Sequence, residues 1–270
     1  MSILSEPVVS VSHLKKVYDM RDRKVEAIGD LSFEVGNGDF TCIVGPSGAG
    51  KTTLLKCLAG LLAPTSGSVR LNGTSITSPP EEMAVVFQEY GRSLFPWMTV
   101  RKNVELPLKE RKIASVERDA LVTGALESVG LTDAALSYPW QLSGGMQQRV
   151  AIARAVAYQP KVLLMDEPFA SVDAQTRADL EDLMHRLWRE HLLTVIFVTH
   201  DIDEAVYLGG RVLVLSSSPT FVLDDVGVDL PEPRNQAETR GDPEFIKLRG
   251  RVYQGIQRAK STAMSGMAKA

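Results

Sequence analysis

The sequence predicts an α/β fold built on a parallel sheet, and three stretches of the chain support that prediction. Residues 162–165 and 195–198 are continuously apolar, which is typical of parallel strands that helices cover on both faces. Residues 42–44 form a third apolar run, and a glycine-rich loop and then a helical pattern follow it. This order of strand, loop and helix is the one from which α/β domains are built.

The glycine-rich loop matches the spacing G-x-x-x-x-G-K-[ST] of a phosphate-binding loop. Glycines let several backbone N–H groups point inward at an anion, next to the N-terminus of a helix. Lys51 would add a positive charge for the outer phosphates, and the Thr52 hydroxyl would ligate Mg²⁺. Residue usage gives such a match by chance in roughly one chain per hundred, so the motif predicts nucleotide binding. The loop and the residue after it are Gly45, Pro46, Ser47, Gly48, Ala49, Gly50, Lys51, Thr52 and Thr53.

Composition indicates a globular protein with no electrostatic preference for nucleic acid. The chain has 270 residues and a net charge of −3, enough for one large domain or a domain with a subdomain. Cys42 and Cys57 fall on predicted buried elements, where small apolar core residues are expected. We expect no signal peptide, and no uncharged apolar run reaches the length of about 18 residues that a membrane span requires. A cytosolic setting is the expectation.

The first part of the chain carries the pattern of antiparallel strands. Residues 31–35 alternate between apolar and polar side chains, and residues 68–71 run into a hairpin signal at 72–73. We expect these strands to have one solvated face. Tyr18 falls on a predicted loop between them. There its ring would stack on a base or pack half-buried, and spacing alone favours packing.

Polar residues follow three of the predicted buried strands. Gln88, Asp166 and His200 each stand where a strand ends, and the carboxyl ends of parallel strands are where α/β sheets bind ligands. Glu167 adds a second carboxylate next to Asp166, which desolvation penalises without a partner. A divalent cation near Asp166 and a water near Glu167 would explain the pair. A turn residue at Gln88 and a structural His200 are the alternatives.

A second helix terminus also carries features of an anion site. Ser143 is a predicted N-cap, and Gly144 and Gly145 expose backbone N–H groups at the start of a helix. A capped helix without a ligand is the alternative. Residues 94–98 are a separate feature, because they are five bulky residues in a turn, one of them a proline. Such a turn marks a partner surface or forms a local core.

In their order along the chain, these motifs resemble the ATP-binding subunits of ABC transporters over roughly residues 7–215. The matched motifs are Walker A at 45–52, the Q-loop at Gln88, the signature at 142–146, Walker B at 162–167, the D-loop at 171–173 and the switch histidine at His200. The resemblance implies a RecA-like P-loop NTPase core, an antiparallel β subdomain and a helical insertion at about 89–158. We divide the chain into an ABC ATPase domain, 1–230, and a C-terminal helical tail, 231–270.

The resemblance also implies ATP and Mg²⁺ as cofactors, with a role for each matched residue. The implied catalytic residues are Glu167, His200, Lys51 and Gln88, and the implied metal ligands are Thr52, Gln88 and Asp166. The implied nucleotide contacts are Tyr18 as the A-loop aromatic, Val25, the loop residues 45–53, and Ser143, Gly144, Gly145 and Asp173 from a second copy. Met146 stands where glutamine is commonest in the superfamily, and neither it nor Val172 removes an expected contact.

The implied partners are a second copy of the chain in an ATP-sandwich dimer, transmembrane permease subunits and, indirectly, a solute-binding protein. The protein would lie peripherally on the cytoplasmic face of the inner membrane. Residues 95–100 with Asn103 resemble importers of the nitrate, sulfonate and taurine type. A soluble single-domain ABC ATPase, for example in cluster assembly, and an exporter ATPase are the alternatives. Lys51 and Ser143 are 92 positions apart, which leaves no room for the coiled coils of DNA-repair versions.

Overall fold

The computed structural model describes residues 6–20, 23–88 and 93–267, with the side chains of 262–267 excepted. The strands are β1 Val9–Met20, β2 Arg23–Val35, β3 Phe40–Val44, β4 Ser66–Leu71, β5 Thr74–Ser75, β6 Met83–Val86, β7 Val162–Asp166, β8 Thr194–Val198, β9 Arg211–Leu215 and β10 Val222–Gly227. The helices are α1 Lys51–Leu58, α2 Val100–Glu110, α3 Ser115–Ser128, α4 Gly144–Ala157, α5 Ala174–His191, α6 Ile202–Leu208, α7 Gln236–Gly241 and α8 Pro243–Met267.

The larger sheet has the strand order β10-β9-β3-β8-β7-β6, and its strands run parallel except for β10. All five residues of β3, β7 and β8 are buried. Successive residues of β3 enter different apolar clusters, Cys42 on one face and Ile43 on the other. Both faces are therefore covered, which is why these strands are continuously apolar in sequence and confirms the predicted core.

The smaller sheet is antiparallel and has the order β2-β1-β4-β5, as the alternating sequence patterns predicted. Residues 8–12 alternate only weakly between apolar and polar side chains. Strand β1 extends well beyond them, with register shifts between Val11 and Val17. Tyr18 lies inside β1 and pairs with Val25, so the predicted loop at Tyr18 was wrong. The half-exposed lysines that precede Tyr18 hide the period of two that would have identified the strand.

Helices α2, α3 and α4 pack together beyond the edge of the parallel sheet formed by β6. Buried side chains from each of them, such as Val104, Val122 and Val150, belong to the same apolar cluster as one face of the sheet. This is the expected helical insertion, although residues 89–92 at its start lie outside the described residues. The predicted α/β fold with an antiparallel subdomain and a helical insertion is confirmed.

The C-terminal helices pack onto the core. Phe245, Leu248 and Val252 of α8 are buried in the cluster that covers the parallel sheet, and α8 contacts α6, β9 and β10. The domain boundary at 230 stays a prediction. Among the described residues, no helix combines the length and apolar character needed to cross a bilayer.

Candidate functional site

The phosphate-binding loop joins β3 to α1 with the backbone that its glycines predict. Gly48 and Gly50 have φ angles of +79° and +71°, a region that L side chains rarely adopt. A Cβ at Gly50 would lie 3.0 Å from the carbonyl oxygen of Ala27. Glycine is therefore required at this position for two reasons: the backbone is left-handed, and β2 approaches too closely to leave room for a side chain.

Lys51 is buried at the centre of the loop. Its Nζ donates to the carbonyl oxygens of Gly45, at 3.0 Å, and Pro46, at 3.2 Å. The same nitrogen lies 3.9 Å from Oε1 of Glu167. Burial lowers the pKa of Lys51, and the carboxylates of Glu167 and Asp166 oppose that shift. The carbonyl oxygens of Gly45 and Pro46 thus hold the Lys51 ammonium inside the loop. A bound phosphate would add further oxygen acceptors for it.

The end of β7 places Asp166 beside the first turn of α1. Its Oδ1 lies 3.5 Å from the Thr52 hydroxyl, and burial raises the pKa of its carboxyl while that hydrogen bond opposes the rise. No group of three His, Cys, Asp or Glu in the described residues forms a closed metal site. A hydroxyl and one carboxylate do fit Mg²⁺, because this ion is bound through one or two carboxylates together with substrate phosphates and water.

Glu167 follows Asp166 in a left-handed conformation, with φ of 44°. Its backbone N–H donates to the carbonyl oxygen of Val198 at 2.8 Å, which fixes this conformation against the neighbouring strand β8. Its Oε2 lies 2.9 Å from Nδ1 of His200. The carboxylate therefore stands between Lys51 and His200. Left-handed backbone at a non-glycine residue stores about 1–3 kcal/mol and is found at functional sites.

A cavity of about 600 Å³ collects these groups at one edge of the sheet. At its far end, the Tyr18 hydroxyl lies 3.2 Å from Oγ1 of Thr53, and Lys16 stands 5.4 Å from the centre of the Tyr18 ring. The lining residues are Tyr18, Val25, Ala27, Ser47, Gly48, Ala49, Gly50, Lys51, Thr52, Thr53, Glu167, His200 and Ser218. The structure thus brings together the predicted loop, the predicted aromatic and the residues that follow β7 and β8.

Ala27 and Ser218 line this cavity but were missed in the sequence. Ser218 belongs to the turn between β9 and β10 and donates to the carbonyl oxygen of Glu26 at 2.7 Å. Thr220 of the same turn lies 2.9 Å from the carbonyl oxygen of Ala27. The apolar runs 212–215 and 220–223 on either side of the serine-rich turn predict a hairpin, but nothing in the local sequence indicates that the turn reaches β2.

The other predicted site residues do not line the cavity. Gln88 is exposed where β6 ends. Ser143 caps α4 by accepting from the N–H of Met146 at 3.3 Å. Asp173 caps α5 in the same manner. A Cβ on Gly145 would lie 2.4 Å from Cγ2 of Thr176, so the two capped helix starts pack against each other. Within one copy, the signature and D-loop residues form a second group apart from the cavity.

Known proteins share the fold and much of the sequence. The family model described as ABC transporter matches residues 28–170, just over half of the chain. An uncharacterised ABC transporter ATP-binding protein of Methanocaldococcus jannaschii is 43% identical over 90% of this chain and 89% of its own length. The nitrate import ATP-binding protein NrtD of Synechocystis is 41% identical over 88% of this chain and 91% of its own length.

Two solved structures support the same assignment. The dimeric ATP-binding cassette MJ0796, in a post-hydrolysis state with ADP and phosphate, aligns with a TM-score of 0.71 at 31% identity over 82% of this chain and 99% of that one. The protein cbiO1 of Clostridium perfringens, part of the transporter complex cbiONQ, aligns with a TM-score of 0.74 at 28% identity over 83% of this chain and 89% of that one. The fold, the phosphate-binding loop and these relatives together show that the chain belongs to the ABC transporter family, as an ATPase that hydrolyses ATP for transport.

Proposed function

We propose that this chain powers solute import as the ATP-hydrolysing subunit of a transporter of the nitrate, sulfonate and taurine class. The relative from Synechocystis is a nitrate import protein. A bicarbonate transport ATP-binding protein of Synechococcus elongatus is 41% identical over 93% of this chain, which spans 38% of that longer protein. Together with the resemblance of residues 95–100 to this class, these relatives favour import over the exporter and cluster-assembly alternatives.

The observation that carries the mechanism is the separation of the site into two groups. The cavity holds the phosphate-binding loop and Glu167, and the capped start of α4 at Ser143 lies outside it. A helix N-terminus offers backbone N–H donors and a partial positive charge to an anion. We expect Ser143 of one copy to close over the triphosphate that the other copy binds, so that ATP joins two copies. The dimeric form of MJ0796 supports this arrangement.

Residues that line the cavity, together with Asp166 and Gln88 outside its lining, would then have separate roles in hydrolysis. Lys51 turns its N–H donors from the loop carbonyls to the γ-phosphate, where they stabilise the charge that develops in the transition state. Glu167 orients or deprotonates the attacking water, and His200, 2.9 Å from Glu167, holds the γ-phosphate. Thr52 and Asp166 would hold Mg²⁺, which neutralises phosphate charge when bound. Gln88, which is exposed where β6 ends, would be a further ligand for Mg²⁺.

The permease would dock on the exposed turn that precedes α2. Trp97 is 70% exposed there, and its ring meets that of Phe95 at 5.4 Å. Asn103 is buried beneath them and accepts a hydrogen bond from the Phe95 N–H at 2.8 Å. The turn is therefore a preformed apolar projection that fits a helix from a membrane subunit. Docking of this kind would hold the protein on the cytoplasmic face of the membrane.

Substitution of Glu167 by glutamine tests the mechanism. We expect Glu167→Gln to bind Mg-ATP, to dimerise stably and to hydrolyse ATP at least 100-fold more slowly, the range that general base catalysis supplies. Glu110→Gln is the matched control, because it makes the same change at an exposed position at the end of α2. Sedimentation measures the fraction of dimer, and phosphate release measures the rate of ATP hydrolysis. Turnover of ATP by Glu167→Gln at the parent rate would refute the role of Glu167.

A further inference from the structure

A second pair of exposed aromatic side chains lies just before α4. Tyr138 and Trp140 are 38% and 70% exposed. Their rings stack with centroids 6.1 Å apart and an angle of 14° between the planes. Leu136 beside them is 78% exposed. Large apolar side chains grouped in this way are uncommon on a surface that binds nothing, and the hydrolysis mechanism does not use them.

Hydrogen bonds fix this pair to the helix start that carries Ser143. The Tyr138 N–H donates to Oε1 of Gln141 at 2.7 Å. Nε2 of Gln147, in the first turns of α4, lies 3.0 Å from the carbonyl oxygen of Pro139 and 3.3 Å from that of Leu142. The 3-10 turn Pro139–Gln141 is thus bound to α4. The rings therefore keep a set position relative to Ser143.

The spacing along the chain matches the length of a nucleotide. Ser143 stands three positions after Trp140, so their Cα atoms are at most about 10 Å apart. The triphosphate and ribose of ATP place the base at a comparable distance from the γ-phosphate. Where Ser143 meets the γ-phosphate held by the other copy, Trp140 reaches the region of the base. An aromatic face there would stack on the base.

We infer that Tyr138 and Trp140 form a base-stacking platform for the ATP bound by the second copy of this chain. The inference rests on the proposed ATP-sandwich dimer. The base would lie between Tyr18 of the copy that binds it and Trp140 of the other copy. Tyr18 is half-buried and linked to Thr53 through its hydroxyl. Its ring would contact one face of the base, and the opposite face of the base would contact Trp140 of the other copy.

The test measures the ATP-dependent dimer in Glu167→Gln protein by sedimentation equilibrium with Mg-ATP. Because each dimer holds two bases, we expect Trp140→Ala to raise the dissociation constant about 30-fold, for about 1 kcal/mol per stacked base. Trp140→Phe keeps an aromatic face and should restore most of the affinity. Tyr253→Ala, at an exposed aromatic residue of α8, is the control and should leave the constant within twofold. Thermal melting of each variant verifies the fold.

A fluorescence measurement separates base stacking from a contact between protein surfaces. Glu167→Gln protein carrying Trp97→Phe still contains Trp188, so the Trp140 emission is taken as the difference from the same protein carrying Trp140→Phe as well. Mg-ATP should quench this difference in proportion to the dimer. Dimerisation by Trp140→Ala as strong as that of its parent would overturn the platform and leave the proposed function standing. A weaker dimer without quenching, or a loss of permease capture alone, would overturn it as well. Failure of Glu167→Gln itself to dimerise would refute both.

Discussion

In the part of the chain that the structure describes, two aromatic pairs each contain an exposed tryptophan but differ in shape. Phe95 and Trp97 meet edge to face, with 61° between their planes, whereas Tyr138 and Trp140 lie nearly parallel at 14°. Both tryptophans are 70% exposed. An edge-to-face pair presents an irregular projection that fits a groove between helices. A stacked pair presents a flat face that fits a planar ligand.

The supports of the two pairs differ as well. Asn103 is fully buried beneath the first pair, where its Nδ2 lies 3.1 Å from the carbonyl oxygens of Phe95, Met98 and Thr99. Gln147, beneath the second pair, is half-buried and reaches two carbonyl oxygens. The projection is therefore built into the core of the helical insertion, whereas the flat platform is attached to its surface.

Removal of the buried support should have the largest effect. Asn103→Ala leaves several backbone groups of the turn without partners, and each unsatisfied buried group costs about 1–3 kcal/mol. We expect the free energy of unfolding to fall by about 3 kcal/mol, as measured by the urea midpoint at constant slope. The Trp97 emission should shift to the red, because its loop loses its shape, while the Trp140 environment stays unchanged. A loss below 0.5 kcal/mol would show that the projection does not depend on Asn103.

A substitution in the core should change stability without altering either aromatic pair. Burial raises the pKa of Glu204 to about 7 from 4.5, while hydrogen bonding by Thr199 and the charge of Arg177 oppose the rise. Between about pH 4.5 and pH 7, the carboxyl of Glu204 therefore carries a proton in the folded protein but not in the unfolded chain. The stability contributed by this proton is full below about pH 4.5 and is lost as pH rises through about 7.

Glu204→Gln removes that titration. Relative to the parent, the variant should gain on the order of 2 kcal/mol between pH 5 and pH 8, with the tryptophan emission of both pairs unchanged. Urea unfolding across this pH range is the measurement. Parallel stability curves for variant and parent would contradict the raised pKa of Glu204.

A charge on the projection should weaken permease binding, whereas the same charge on the platform should not. We expect Trp97→Asp to weaken binding to the permease at least tenfold, or about 1.4 kcal/mol, because an apolar anchor becomes a desolvated carboxylate. Trp140→Asp places the same charge on the platform and should keep permease binding within twofold. Capture of the permease by immobilised protein gives both values. Equal losses for the two variants would show that both surfaces face the membrane subunit.

Removal of the weaker support should have the smallest effect. Gln147→Ala deletes two hydrogen bonds on a half-buried side chain, which net about 1 kcal/mol of unfolding free energy. The platform would then move relative to Ser143, so the ATP-dependent dimer of Glu167→Gln should weaken by a smaller factor than with Trp140→Ala. An effect larger than that of Trp140→Ala would indicate that Gln147 serves the dimer directly.

Local patterns predicted the parts of the molecule that local physics determines. Continuous apolar runs identified β7 and β8, and the glycine spacing identified the loop that holds Lys51. The full length of β1 escaped prediction, because its last residues are half-exposed and register shifts interrupt its period. Ser218 escaped because a contact with Glu26 of β2, 192 positions away in the chain, leaves no mark on either segment. Trp140 escaped because a single aromatic residue before a helix has no pattern to identify it.

The turn between β9 and β10 has a consequence for how the nucleotide is held. Thr220 is fully buried. Its hydroxyl lies 2.9 Å from the carbonyl oxygen of Ala27, on the strand beside Tyr18, and 2.7 Å from the carbonyl oxygen of Ala49, in the phosphate-binding loop. This one side chain therefore links the strand beside Tyr18 to the phosphate-binding loop within a single copy. If ATP joins two copies as proposed, we expect each subunit to set the spacing between the two ends of its nucleotide site on its own, before the second copy binds.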